Sequence, residues 1–307
     1  MKDFRYHLTS LAAVFLALAI GVVLGAGPLQ ANLSGALGGK VTTLQEQNDL
    51  LNRKVESLDK QNAANGNFIS KLSSQVNQGS LAGRKIAVIS FAGVPSAEVD
   101  KVVQTLSTSG AQIAGKAELG VGFTSPDFVQ YRTSLAPRLP QYLEAKPDAS
   151  ASAESILAQA VMAVLQKGAE PSKSLVEILG APENPLATFK DANGGAEAAV
   201  IITGDLSLSS GSTEGPVSGD QASAISDSVS AFAHFPKSAV ALGSAASEGN
   251  VLSILREQSV AVTTIDSFPS ARSLASLPPA LLLAGNTPVA LGSEIGAALP
   301  APQLPKR

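Results

Sequence analysis

Residues 8–29 contain no charged side chain, and this run constrains the fold more than any other part of the sequence. Its strongest part, 11–24, is apolar throughout apart from Gly21. At about 1.5 Å per residue, roughly twenty helical residues reach across a hydrocarbon core of about 30 Å. Lys2 and Arg5 precede the run, and the next charge after it is Lys40. Positive charge on the N-terminal flank keeps that end in the cytoplasm and exports the C-terminal side. The sequence therefore predicts a single-pass anchor over residues 1–32 in the cell membrane, with the rest of the chain extracytoplasmic. A cleaved signal peptide is the competing reading. Val23-Leu24-Gly25 and Gly25-Ala26-Gly27 are weakly acceptable small-residue sites, but no Ala-x-Ala follows the apolar region. Ala13, Ala17, Gly21 and Gly25 recur every four residues, and small side chains on one face let two helices approach in lipid.

Residues 33–82 read as a coiled coil with a joint at each end. With Val41 at heptad position a, the a and d positions are Val41, Leu44, Asn48, Leu51, Val55, Leu58, Asn62, Asn65, Ile69, Leu72 and Val76. The alternation is unbroken over five heptads, and eight of these eleven residues are apolar. β-Branched residues at a with leucine at d favour a parallel dimer, and Asn48 and Asn62 at a would set register and strand number. Lys54 at g would face Asp59 at e of the partner helix. A long amphipathic helix folding back on its own domain is the alternative. Gly35, Gly38 and Gly39 suggest a flexible joint below the coil, and residues 79–83 a second one above it. Gly66, within the Asn-rich centre at 61–67, should loosen the middle.

Residues 83–290 predict an extracytoplasmic α/β domain. The run KIAVISF at 85–91 is a buried strand by its β-branched content and its bounding glycines. Ser96 is placed to cap a helix whose core face is Val99, Val102, Val103 and Leu106. A second strand at 111–119 completes a βαβ opening. After the proline-broken stretch around Pro137, Pro140 and Pro147, helices are expected at 152–166 and 172–179. Strands are expected next at 198–203, 239–242 and 260–265, separated by helices at 220–233 and 250–257. The expected result is a Rossmann-like open parallel sheet of about five strands. Residues 206–219 read as a Gly/Ser-rich surface loop and 291–307 as a disordered tail.

Chemistry is sparse in this chain. There is no cysteine, which removes thiolate metal sites, redox dithiols and cysteine nucleophiles. The net charge is −3 and no basic run exceeds a pair, so nucleic acid is not an expected partner. His7 and His234 are too far apart in sequence to suggest a triad base or a metal pair. No G-x-G-x-x-G follows the first strand. The segment 110–117 approaches a Walker A loop but carries Ala117 where a magnesium-binding hydroxyl belongs, and it enters a strand rather than leaving one. In open parallel sheets, ligands sit beyond the carboxyl ends of strands. Asp205 and Asp266 are the only carboxylates at such ends and are the candidate ligand-site residues, although aspartates also cap turns routinely. No catalytic residue and no cofactor are expected.

The N-terminal run FRYHL at 4–8, leading into GVVLG at 21–25, resembles the opening of the MctB-type copper transporter family of actinobacteria. The order of the later segments is also similar: coiled coil, a first strand after a Gly-Arg junction, and a late Thr-x-x-Asp segment at 263–266. Pro278, Pro279 and Pro288 stand where the resemblance would place a continuous helix. The resemblance implies copper efflux across the envelope, an outer envelope layer and a channel activity, with copper as the transported ion. The metal-ligating residues present are Met1, Met162, His7 and His234. Cu(I) prefers thiolate and thioether ligands and Cu(II) imidazole, so this set is meagre. A barrel pore would need repeated alternating strands and aromatic girdles, yet aromatics are 4% and the strands alternate with helices. Conduction is therefore expected through bundled anchor helices or with a partner. A non-catalytic dimeric envelope scaffold is the alternative function, and an enzyme or small-ligand receptor using Asp205 and Asp266 is a third.

Overall fold

The computed structural model describes residues 2–204, 219–284 and 287–302. The chain forms two compact units, Met1–Asn65 and Gly66–Arg307. One helix, α1 (Lys2–Val76), makes up the described part of the first unit and runs into the second. It passes without a break through Gly35, Gly38, Gly39 and Gly66. Helical backbone thus runs through the stretches where a lower joint and a looser centre were expected. A helical glycine costs only about 1 kcal/mol against alanine, and the flanking Ala36, Leu37 and Lys40 are good helix formers. Above the helix, Gly79 and Gly83 adopt positive φ of 71° and 77°. The turn they make is pinned, because Leu81 is buried and its N–H donates to Ser109 O at 2.9 Å. It is a fixed corner and not a loose joint.

The second unit continues as β1 (Lys85–Phe91), α2 (Ser96–Thr108), β2 (Gln112–Leu119), α3 (Val129–Leu135), α4 (Ala153–Lys167), α5 (Lys173–Leu179), β3 (Ala187–Lys190) and β4 (Ala198–Gly204). It ends with α6 (Gly219–Phe232), β5 (Ser238–Gly243), α7 (Val251–Glu257), β6 (Thr263–Ile265), α8 (Ala271–Leu283) and β7 (Ala290–Leu291). The strands form one sheet in the order β3-β2-β1-β4-β5-β6-β7. Every neighbouring pair is parallel except β2 with β3. This is the doubly wound α/β arrangement expected, with two short edge strands added. The cap at α2 differs from expectation. The helix starts at Ser96 itself, with Pro95 at the boundary and no side-chain cap bond. Residues 206–219 lie outside the described residues except Gly219, which opens α6.

Alternate residues of each central strand enter different cores, as the period-two geometry of a strand requires. On one face Ala87, Ala199, Ala239 and Ala241 meet Leu157, Val161 and Val164 of α4 and Ile225, Val229 and Phe232 of α6. Small strand residues there are matched by bulky helix residues. On the other face the balance shifts to the strands, with Ile86, Val88, Val200, Ile202, Val240 and Leu242 under Val102 and Leu106 of α2 and Leu277 of α8. A sheet covered on both faces needs near-continuous apolar strands, which is why β4 and β5 are buried at every position.

The C-terminal edge is unusual. β7 continues the lateral direction of β4, β5 and β6, but α8 crosses on the face opposite to α6 and α7. The β6–α8–β7 unit thus has the opposite hand to the two units before it, and crossovers of one hand dominate in parallel sheets. α8 also contains Pro278 and Pro279, at the place where the family resemblance implies a continuous helix. Pro279 has no N–H to give the carbonyl four residues earlier, Ala275 O. That carbonyl accepts instead from Asn77 Nδ2 at 3.0 Å. Residues 291–302, expected as part of an unfolded tail, are folded onto this edge. Leu291 is buried, Gly292 N–H donates to Leu299 O at 2.7 Å, and Ala298 N–H donates to Ala290 O at 2.8 Å.

The replacement bond gives a direct test. Asn77→Ala leaves the Ala275 carbonyl without a donor in a partly buried place, and should destabilise the α/β unit by about 1–3 kcal/mol in urea denaturation. Unchanged stability would mean that water satisfies the carbonyl equally well.

Candidate functional site

Two places gather the residues singled out by sequence. The first is the exposed face of α1. Gly21 and Gly25 are exposed, and a Cβ added to either would meet nothing within 4 Å. Leu44, Asn48, Leu51, Val55 and Leu58 follow one another at spacings of three and four residues along the same helix and are all exposed. Such spacing places them on one face. Leu44, Leu51, Val55 and Leu58 each keep more than half of their surface open, from 64% down to 54%. The Asn48 amide oxygen accepts from Asn52 Nδ2 at 2.8 Å, within the helix. The side chain of Val41 lies outside the described residues. Lys60 pairs with Glu56 at 2.7 Å, and no ion pair of Lys54 or Asp59 is found among the described residues. Together they form one exposed, largely apolar stripe along α1.

The second place is Asp266, at the end of β6. Its side chain is fully buried. Arg256 Nη1 donates to Oδ2 at 3.1 Å and Arg272 Nη2 to Oδ1 at 3.1 Å. The Ser293 N–H lies 3.1 Å from both carboxylate oxygens, and Glu294 N–H donates to Oδ2 at 2.9 Å. The Ser267 hydroxyl stands 3.0 Å from Oδ1 and 2.8 Å from Glu294 Oε1, so its single proton serves either carboxylate. It accepts in turn from Arg272 Nη2 at 2.7 Å. Glu294 Oε2 accepts from the Ala245 N–H. Arg256 is spent in the same cluster, donating from Nε to Thr264 Oγ1 at 2.9 Å, from Nη1 to Ile295 O at 2.7 Å and from Nη2 to Leu291 O at 3.0 Å.

Local backbone makes this closeness possible. Gly292 has φ of +138°, and a Cβ there would collide with the Asp266 carboxylate. Two guanidinium and two carboxylate groups balance in formal charge. Burial alone raises the Asp266 pKa and is the largest single influence. The bonds from Glu294 N–H, Ser293 N–H, Ser267 and Arg256 together outweigh it and hold the carboxyl below its ordinary value. Asp266 is therefore an ionised clasp whose oxygens are engaged by this chain's own donors. Asp205, the other candidate, lies outside the described residues. Among the described residues no three His, Asp or Glu side chains converge on a possible metal position. The clasp partners Arg256, Arg272, Ser293 and Glu294 escaped the sequence reading, since no spacing rule links positions before and after a helix to one aspartate.

These features define a class: an α/β protein carrying one N-terminal helix, apolar over Tyr6–Gly25 with a mean hydropathy of 2.4. A run of this kind serves either as a membrane span or as a signal sequence. The chain belongs to the MctB copper transporter family of envelope proteins; the family model described as copper transport outer membrane protein, MctB, matches residues 1–302. It is also similar to the copper transporters MctB of Mycobacterium bovis (strain ATCC BAA-935 / AF2122/97) and Mycobacterium tuberculosis (strain ATCC 25618 / H37Rv). Each is 27% identical over 218 residues, covering 66% of this chain and 68% of the relative.

Removing one partner from a buried ion pair strands the other charges and typically costs about 3–5 kcal/mol. Asp266→Ala should lower stability by that order in chemical denaturation. The pH dependence comes from the direction of the shift. With the folded pKa held below its ordinary 3.8, the carboxylate's contribution is complete above that value and fades as pH falls through the folded pKa. Asp266→Asn should flatten the acid limb of a thermal-midpoint profile. An acid limb of unchanged steepness would deny Asp266 this role.

Proposed function

We propose that this chain acts in copper efflux across the cell envelope, as a non-catalytic membrane protein whose α/β unit lies outside the cytoplasm. The family match across residues 1–302 carries this reading. The apolar run at Tyr6–Gly25 supports retention as an anchor over residues 1–32, and Lys2 and Arg5 on its N-terminal side favour an N-terminus in the cytoplasm. The family description, with its outer-membrane wording, favours an outer envelope layer. Two copies associate through α1, with Leu44, Leu51, Val55 and Leu58 in the seam, Asn48 setting register and Lys54 facing Asp59 of the second copy. Val41 extends the same seam by its heptad position. Close approach at Gly21 and Gly25 would continue the pair into the membrane. Copper passes between bundled anchor helices or through a partner. The sheet of the α/β unit is open at its edges and has helices on both faces, unlike a membrane barrel.

Copper content of cells tests the reading. Deleting the gene should raise cell-associated copper and restoring it should lower it again. Copper content that ignores the gene would contradict a role in efflux.

A second reading, favoured by the uncovered α1 seam, is a dimeric scaffold with no transport of its own. Five heptads at about 1.5 Å per residue span roughly 50 Å, enough to hold a domain well away from its membrane. Sedimentation of the full chain in detergent should give a dimer, with Asn48→Leu shifting the association state or strength. A monomer whose behaviour is indifferent to Asn48→Leu would remove both the seam and the scaffold.

A further inference from the structure

A cavity of about 550 Å³ lies beside α4 and the end of α6, and both Met162 and His234 line it. These are the only methionine besides Met1 and the only histidine besides His7. Packing α4 against α6 brings to one cavity the two soft donor side chains that the sequence keeps far apart. We propose that Met162 and His234 form a Cu(I)-binding site, an inference that rests on the copper reading above and gives it a location in the α/β unit.

The local chemistry suits that ion. His234 Nδ1 stands 2.8 Å from the carbonyl oxygen of Ser230. A carbonyl only accepts, so Nδ1 carries a proton toward it, and Nε2 is the ring nitrogen left for an ion. Metal-binding histidines are commonly fixed in this way, through a carbonyl on the other ring nitrogen. The His234 ring is exposed, so an ion reaches it without opening the fold. Met162 is half-buried against the core, and its unbranched side chain has the torsional freedom to turn its sulfur toward an ion in the cavity.

The wall carries equal numbers of anionic and cationic side chains. Glu144 and Asp148 are offset by Lys146 and Lys167. Lys167 is paired with Glu144 at 3.1 Å. The Asp148 carboxylate already accepts from Ser150 N–H at 2.8 Å and Ser150 Oγ at 2.6 Å. The soft donors on the wall are one imidazole and one thioether, beside the oxygen-bearing side chains of Ser155, Gln159 and Gln166. Thioether and imidazole donors favour copper, the thioether favouring Cu(I), over magnesium or calcium, which need carboxylate and carbonyl oxygens. In the binding step two lone pairs, from Nε2 and from the sulfur, enter the coordination shell. No covalent bond breaks within the side chains and no electron is transferred.

The test uses the full chain in detergent, with Cu(I) supplied anaerobically from a chelator of known affinity. Wild type should take up one equivalent, with an X-ray absorption spectrum showing a mixed nitrogen and sulfur shell. Met162→Leu, which conserves volume, should remove the sulfur signal. Met162→Leu with His234→Gln should weaken binding at least tenfold. Full uptake by the double variant, or none by wild type, would overturn the site. Cell copper that still responds to the gene would then leave the efflux reading standing. Variant-sensitive Cu(I) binding in a protein whose gene leaves cell copper unchanged would instead keep the site and reject that reading.

Discussion

A buried carboxylate must be satisfied completely or it destabilises its surroundings, and the C-terminal half of the α/β unit is organised around that demand at Asp266. Its oxygens take donors from the arginine of α7, the arginine at the start of α8, the turn after β6 and the backbone just beyond β7. Four separate stretches of chain are thereby fixed to one point. The strands at this edge are three and two residues long, too short to hold register by ladder bonds alone. The return of α8 over the opposite face also runs against the usual hand of a crossover. A charge network closed on itself supplies the specificity that short strands and an unusual crossover lack.

The same logic appears where α1 enters the α/β unit. Two prolines inside α8 free backbone carbonyls, and Asn77, just past the end of α1, donates to the one at Ala275. An irregularity in one element is thus answered by a side chain from another. The sheet itself needs no such device. Its faces are closed by volume matching, with alanine-rich strand positions under large helix residues on one side and branched strand residues on the other.

Much of this fold was legible because its central strands are buried on both faces. β1, β4 and β5 read as short branched runs, and α4 was placed within one residue of its observed bounds by its apolar spacing; the structure adds that the Ser152 hydroxyl caps it. Legibility failed where a local signal was outweighed by its context. Gly35, Gly38 and Gly39 read as a joint, yet isolated glycines are cheap in a long helix. Pro278 and Pro279 looked out of keeping with a continuous helix, yet Asn77 compensates one lost bond. β3 and β7 were missed because four residues and two residues carry no period. Glu294 was assigned to a tail, since nothing in its neighbours announces that its backbone N–H meets Asp266. Met162 and His234 looked unrelated because only the packing of α4 with α6 makes them neighbours of one cavity.

Family membership and chemistry meet in an unusual way in this chain. It belongs to a copper transport family while carrying no cysteine and few thioether or imidazole groups, so any copper it handles passes through a lean set of ligands. A ligand set without thiolates would suit an ion that must be released, whereas a thiolate cage would retain it. The most direct measurement of the central claim is the rate at which copper-loaded cells lose copper after transfer to copper-free medium. The account predicts slower loss from cells lacking this gene and recovery of the rate when it is restored. Equal rates of loss with and without the gene would contradict it.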